Sequence, residues 1–333
     1  MALPKHLNIV SLESFFAPLP PRFTVPPPYT FNITQHHRTT VAEVPSRIKD
    51  AHVLITTTLP IGADALSSEA APNLKLIAVV ASGTDAIDLN ACKERGIRVL
   101  NSPGCNVDAV AEHAVALYFA ARRSLVPSVE GLRAGDWPRK RSLIHTAFVA
   151  GNSPPGCRDE TVVIVGYGGV GRRLETLFSG LGMKVIIAAR KNTPAATGRV
   201  PFEEALKMAS VVVVCCPRNP ETQGMISGPE FGVMRNDAVL VNVARGGIVA
   251  EDALLQALRD GEIAGAGVDV FDREPASPET SVLLGPEARG LNLVTTPHTA
   301  WIGTDTTSNN QRVLQENING FILGDMVRER IKA

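Results

Sequence analysis

Three side chains capable of acid–base work and carboxylate recognition each stand just past an apolar, strand-like run. Arg245 follows Val241-Asn242-Val243-Ala244 and precedes Gly246-Gly247. Glu274 lies shortly beyond Val268-Asp269-Val270-Phe271, and His298 closes Leu293-Val294-Thr295-Thr296-Pro297. A guanidinium offers a planar fork of N–H donors that matches a carboxylate. An imidazole moves a proton near neutral pH, and a carboxylate bonded to its ring would fix the tautomer and support the charged form. Singly, each has a plainer reading: a surface arginine at a helix entry, a solvated glutamate, a structural histidine. In an open α/β sheet, however, ligands gather beyond the carboxyl ends of the strands. Three successive strand ends could therefore converge on one cleft.

The element that would supply a reaction partner lies upstream. Thr161-Val162-Val163-Ile164-Val165 runs into Gly166-Tyr167-Gly168-Gly169-Val170-Gly171, and helical spacing follows from Arg172. Strand, glycine turn and helix N-terminus are what a dinucleotide pyrophosphate needs. Gly166 permits the turn, Gly168 lets the backbone approach the phosphates, and Gly171 lets the helix pack on the strand. Free N–H groups and the helix dipole face the anion. An acidic residue some 20 residues further on normally binds the adenosine ribose and repels a 2′-phosphate. Here the next strand ends in Ala189-Arg190-Lys191, with no acid. Arg190 can pair with a phosphate and Lys191 adds charge, so NADPH is favoured over NADH. The plainer reading is two solvated cations and an enzyme that accepts either cofactor.

Composition excludes several function classes. With 333 residues, 44% hydrophobic and 20% charged, the chain has room for two globular domains. Lys plus Arg equals Asp plus Glu, 33 each, so no charge excess argues for nucleic acid or an anionic membrane. No apolar run approaches the roughly 18–20 residues that span a bilayer, and the N-terminal stretch does not read as a signal peptide. The five cysteines show no paired spacing, so neither a disulfide framework nor a metal site is suggested. A cytoplasmic protein is expected.

The apolar runs place these residues. Leu7–Val10, His52–Thr56, Leu74–Val80 and Ile97–Leu100 read as strands, with a helix over Leu89–Arg95 and extended loop from Pro18 to Pro28. A nearly all-apolar helix, Val107 to Arg122, suggests burial between domains or subunits. Residues 123–160, with Trp137 and the basic run Arg139-Lys140-Arg141, read as irregular, the basic run as a solvated face. Strands at Lys184–Ala188, Val211–Cys215, Ala238–Val243, Ala264–Val270 and Leu291–Val294 follow, with helices at Glu203–Met208, Glu230–Met234, Asp252–Asp260 and Thr306–Ile322. Continuous apolar strands alternating with helices indicate parallel sheets covered on both faces, an α/β class.

Over nearly its whole length the chain resembles the D-isomer-specific 2-hydroxyacid dehydrogenase family. The resemblance rests on Ser82-Gly83-Thr84-Asp85, Asn101-Ser102-Pro103-Gly104, Val110-Ala111-Glu112-His113, Gly166–Gly171, Asn242–Gly247, Asp269-Val270-Phe271 with Glu274-Pro275, and Thr296-Pro297-His298. It implies two doubly wound domains, a Rossmann cofactor domain (104–299) inserted in a flavodoxin-like substrate domain (1–103 with 300–333). It implies that His298 donates a proton to a carbonyl oxygen, that Glu274 holds His298, and that Arg245 binds the substrate carboxylate. Ser82 and Gly83 would hold that carboxylate from the other domain. Asp269 would lie near the nicotinamide. Val110, Gly169, Val170, Cys216, Pro217, Thr222, Val243, Ala244, Arg245, His298 and Ala300 would line the cofactor.

Trp301, just after the histidine, resembles the glyoxylate/hydroxypyruvate reductase branch, so a small 2-keto acid is the expected substrate and Trp301 one of its contacts. Thr299 departs from that pattern, where an aliphatic residue is usual. Aromatic 2-keto acids such as phenylpyruvate stay open, since loops around Leu59 and Trp301 set the pocket. A corepressor-like nucleotide-sensing protein is the alternative from another class, and a formate dehydrogenase a third. A homodimer is expected from the apolar helix and the Trp137 region.

Overall fold

The structure, a computed structural model, describes residues 3–148 and 151–324. The final stretch assigned from sequence to the substrate domain, 325–333, lies outside the described residues. The chain forms two compact units that change over between Asn106 and Val107 and again between Trp301 and Ile302. The sequence reading put these boundaries at 103/104 and 299/300.

The first unit holds β1 (His6–Ser11), β2 (Thr30–Gln35), α1 (Val44–Ile48), β3 (Val53–Thr56), β4 (Leu76–Val79), α2 (Leu89–Glu94) and β5 (Arg98–Leu100). Its strands are parallel, in the order β2-β1-β3-β4-β5. Alternate residues of the central strands feed opposite cores: Leu54, Ile77 and Val79 on one face, Val53, Ile55, Leu76 and Ala78 on the other. Strand β2 was not expected from sequence. It is an edge strand with no fully buried residue, so Asn32 and Thr34 interrupt the apolar run on which the reading relied.

The second unit opens with α3 (Val107–Arg122), then α4 (Leu125–Arg133), α5 (Asp136–Lys140), β6 (Thr161–Val165), α6 (Gly169–Gly180) and β7 (Lys184–Ile187). It continues through α7 (Phe202–Met208), β8 (Val211–Val214), α8 (Gly228–Val233), β9 (Val239–Asn242), α9 (Glu251–Asp260), β10 (Gly265–Val268) and β11 (Leu293–Thr295). Its six parallel strands run β11-β10-β9-β8-β6-β7. The order reverses at β6, between β7 and β8, which puts the glycine turn at the switch point where doubly wound sheets bind ligands. Helix α10 (Thr304–Leu323) belongs to the first unit, where Leu314, Ile318 and Ile322 pack on the sheet.

Two expectations are corrected here. Helix α3 is buried by its own unit's sheet: Val110, Ala111, Ala114 and Leu117 join the core of β6, β8 and β9. Strand β10 admits it because Gly267 has no side chain; a Cβ there would stand 2.7 Å from the Cβ of Leu117. Residues 123–160 are also not irregular throughout, since α4 and α5 lie there. Most of their apolar residues stay exposed, with Leu125 at 50% and Trp137 at 58%. That pattern gave no buried stripe to read. Arg139 and Lys140 are both paired with Asp136.

No helix among the described residues is long and apolar enough to cross a membrane. None of their His, Cys, Asp or Glu side chains gather in threes to hold a metal ion.

Candidate active site

The glycine turn is set by close backbone packing. Gly166 has φ +106°, and a Cβ on it would lie 2.6 Å from the backbone N of Cys216, beyond the end of β8. A Cβ on Gly171 would come within 2.2 Å of the carbonyl of Gly166. Gly168 differs: a Cβ there would meet no protein atom within 4 Å. Its lack of a side chain therefore keeps clear the space over the helix start. Helix α6 begins there with no side-chain cap and no acid in its first turn, leaving N–H donors for an anion. These features fit a dinucleotide pyrophosphate. Cys215 donates to the carbonyl of Gly166 at 3.0 Å, and burial pushes its thiol up to about 12. It serves the turn as a neutral donor.

Around this turn the candidate cofactor residues divide. Val110, Val243 and Ala244 are buried, and Val170 packs against the core that holds Val110 and Val243. Thr222 donates to the carbonyl of Pro217, bracing the loop that carries Cys216 and Pro217. Arg190 is exposed at the end of β7. Lys191 is instead engaged by the protein: it pairs with Glu230 at 2.7 Å and donates to the carbonyl of Met225. The expectation of added charge from Lys191 fails because Glu230, held in the capping box of α8 by Ser227, offsets it. A second cation near the end of β7, Arg199, is not singled out by the sequence. Arg199 donates to the carbonyl of Ala188 at 3.3 Å and lies over the Tyr167 ring, opposite in sequence to Arg172, which also approaches that ring.

The exits of β9, β10 and β11 bring Arg245, Glu274 and His298 into one neighbourhood. The first two loops are pressed together at Gly246, where a Cβ would overlap the carbonyl of Phe271. Gly247 N–H then donates to Asp272 at 2.6 Å. Arg245 Nη1 donates to the carbonyl of Ala244. Glu274 Oε1 accepts the N–H of Phe271, and its Oε2 lies 2.6 Å from His298 Nδ1. Burial pushes the Glu274 carboxyl up. The His298 and Phe271 hydrogen bonds and the charges of His298 and Arg245 outweigh that and hold it below the usual carboxylate range.

His298 occupies the left-handed backbone region, φ +53°, which non-glycine residues adopt uncommonly. Asp269 holds it there. Its carbonyl accepts the His298 N–H at 2.8 Å, and its carboxylate accepts Thr296 Oγ1, Thr299 N and Ala300 N at 2.6–3.0 Å. The resemblance implies that Asp269 lies near the nicotinamide; within the protein, both its carboxylate oxygens accept bonds from this turn. Trp301 is partly buried against the core that contains Ala300.

Ser82 and Gly83 belong to the first unit, in the loop after β4. Ser82 Oγ donates to Asn106 Oδ1 at 3.1 Å, and its carbonyl accepts Asn101 Nδ2. Leu59 is buried in that unit's core, with Thr58 and Pro60 exposed on either side. The outward residues of that loop are thus its neighbours.

Residues 115–300 match the model of the D-isomer specific 2-hydroxyacid dehydrogenase NAD-binding domain. Glycerate dehydrogenase of Methylorubrum extorquens is 36% identical over 289 residues, covering 86% of this chain and 87% of that one. The chain belongs to the D-isomer specific 2-hydroxyacid dehydrogenase family. Glyoxylate reductase of Thermococcus litoralis is 35% identical over 263 residues, 78% of this chain and 77% of that one. Among solved structures, an NADPH-dependent glyoxylate/hydroxypyruvate reductase from Sinorhizobium meliloti, in complex with NADP and malonate, superposes with a TM-score of 0.72. It is 25% identical and covers 95% of this chain and 93% of that one. As a D-2-hydroxyacid dehydrogenase, the protein works with a nicotinamide cofactor on 2-keto and D-2-hydroxy acids, with a Rossmann unit inserted in a flavodoxin-like one.

Proposed function

We propose that this dehydrogenase reduces a small 2-keto acid, glyoxylate or hydroxypyruvate, with NADPH as the preferred cofactor. The observation that carries the catalytic reading is the 2.6 Å contact between His298 Nδ1 and Glu274 Oε2 beside Arg245. With Nδ1–H held by the carboxylate, Nε2 is the ring atom left to give a proton to the substrate carbonyl oxygen. Arg245 holds the substrate carboxylate through its guanidinium fork and so fixes its orientation beside His298. The bound cofactor supplies the hydride. The uncapped N–H groups at the start of α6, over Gly168, would hold its pyrophosphate. Arg190, with Arg199 as a second cation near the end of β7, would meet a 2′-phosphate.

The names of the relatives support a small substrate: glycerate, the reduction product of hydroxypyruvate, and glyoxylate itself. Trp301, partly buried beside the His298 turn, bounds the pocket. The exposed apolar face of α4 and α5, with Leu125, Leu132 and Trp137, supports a homodimer, and a light-scattering mass of one chain would count against it. The test of function is absorbance loss of NADPH or NADH with glyoxylate, hydroxypyruvate, pyruvate and phenylpyruvate. Fastest turnover of the first two with NADPH is expected. A preference for phenylpyruvate would overturn the substrate assignment, and no turnover the whole reading.

A further inference from the structure

Helix α3 directs one polar side chain at the turn that carries His298. His113 Nε2 lies 2.9 Å from Thr296 Oγ1 and 3.6 Å from Asp269 Oδ1. Proton counting fixes the direction of these bonds. Thr296 gives its single hydroxyl proton to Asp269 Oδ1, at 2.6 Å, so toward His113 it can only accept. His113 therefore carries a proton on Nε2 and donates it. Three residues before and four after it on the helix stand Val110 and Leu117, both buried and apolar. His113 itself is 24% exposed, so its ring is partly desolvated and the nitrogen turned toward Thr296 is stabilised by a bond.

Asp269 is 1% exposed, and three of the bonds that hold the left-handed turn end on its carboxylate. We propose that His113 is a positioning residue for the reaction. Through Thr296 it orients the Asp269 carboxylate, and so keeps the His298 turn in the conformation that presents the imidazole. This rests on the reading of His298 as the proton donor.

The test measures kcat, KM and the NADPH dissociation constant, the last by cofactor fluorescence. The full-length variants are His113→Ala, His113→Gln, Thr296→Val and the His113→Ala/Thr296→Val double variant, with His298→Ala alongside. His113→Ala should lower kcat about tenfold, the scale of one hydrogen bond into a charged network, with KM and cofactor affinity unchanged. His113→Gln, which keeps an N–H donor, should recover most of the loss. The double variant should be no slower than Thr296→Val, because the two act in series. Additive losses, or wild-type kcat in His113→Ala, would overturn the proposal. If His113→Ala does not fold, His113→Gln against Thr296→Val decides: near-wild-type kcat in the first and a loss in the second is the expected result, and no loss in the second overturns it. Wild-type turnover in His298→Ala would instead remove the proton-donor reading beneath it.

Discussion

Glu274 Oε2 meets His298 Nδ1 at 2.6 Å although the two residues leave different strands of the sheet. The meeting depends on β10 and β11 being parallel neighbours, Val268 opposite Thr295, so that both exits open at the same edge. It also depends on the backbone of His298 taking φ +53°, which turns the ring back toward the β10 exit. The carboxylate is held by Phe271 N–H on its other oxygen. A histidine so oriented has one nitrogen committed and one free.

Glu274→Gln should lower kcat for keto-acid reduction by roughly tenfold to a hundredfold, since the amide can still accept from Nδ1 but no longer balances an imidazolium. The pH dependence has a definite sign. The Glu274 carboxyl is held below its ordinary value, so its contribution to stability is present above the unfolded carboxylate range. It is lost as pH falls through the depressed value. The melting-temperature gap between wild type and Glu274→Gln should therefore be largest near neutrality and shrink in acid. A gap that widens in acid would contradict the assignment.

The proposed contact with a 2′-phosphate is at Arg190, which is exposed beyond β7. Arg190→Asp places an acid where ribose hydroxyls are usually bound and should shift the ratio of kcat/KM values toward NADH. Because Lys191 is paired with Glu230, Lys191→Ala should change that ratio far less. Equal ratios in wild type and Arg190→Asp would show that a 2′-phosphate is bound elsewhere.

The second unit also contains a buried ion pair remote from the chemistry. Arg122 Nε lies 2.6 Å from Glu160 Oε1, and both side chains are almost wholly buried. Tyr118 donates to the same carboxylate, and Arg122 donates on to the carbonyls of Asp237 and Ser210. The network ties α3 to the starts of β6, β8 and β9. Glu160→Ala leaves an uncompensated buried guanidinium and should cost about 3–5 kcal/mol in urea unfolding. A loss under about 1 kcal/mol would mean that water reaches Arg122 and the pair is not closed.

What could be read from sequence follows what each signal depends on. Strands β6 and β8 are runs of valine and isoleucine buried on both faces, and such runs need no tertiary information to recognise. Strand β2 does, because it lies at a sheet edge with one side open. Helices α4 and α5 were missed for a related reason, since their apolar side chains face outward and leave no stripe. At the site, the residue types and strand-end positions of Arg245, Glu274 and His298 were legible. The supporting set was not. Nothing in sequence tells that Asp269 turns its oxygens toward residues 296–300, or that Glu230 neutralises Lys191. Both facts arise from loops folding back across tens of residues. Arg199 escaped notice because the Ala188–Val200 bridge that returns it to β7 is a single pairing.

His298, with Glu274 on its Nδ1, is the proposed proton donor. The most direct test of that role is the kcat of His298→Ala with NADPH and glyoxylate, compared with wild type at neutral pH, with cofactor affinity measured in parallel. A loss of roughly 10²–10⁴-fold with cofactor binding intact is expected. An unchanged kcat would contradict it.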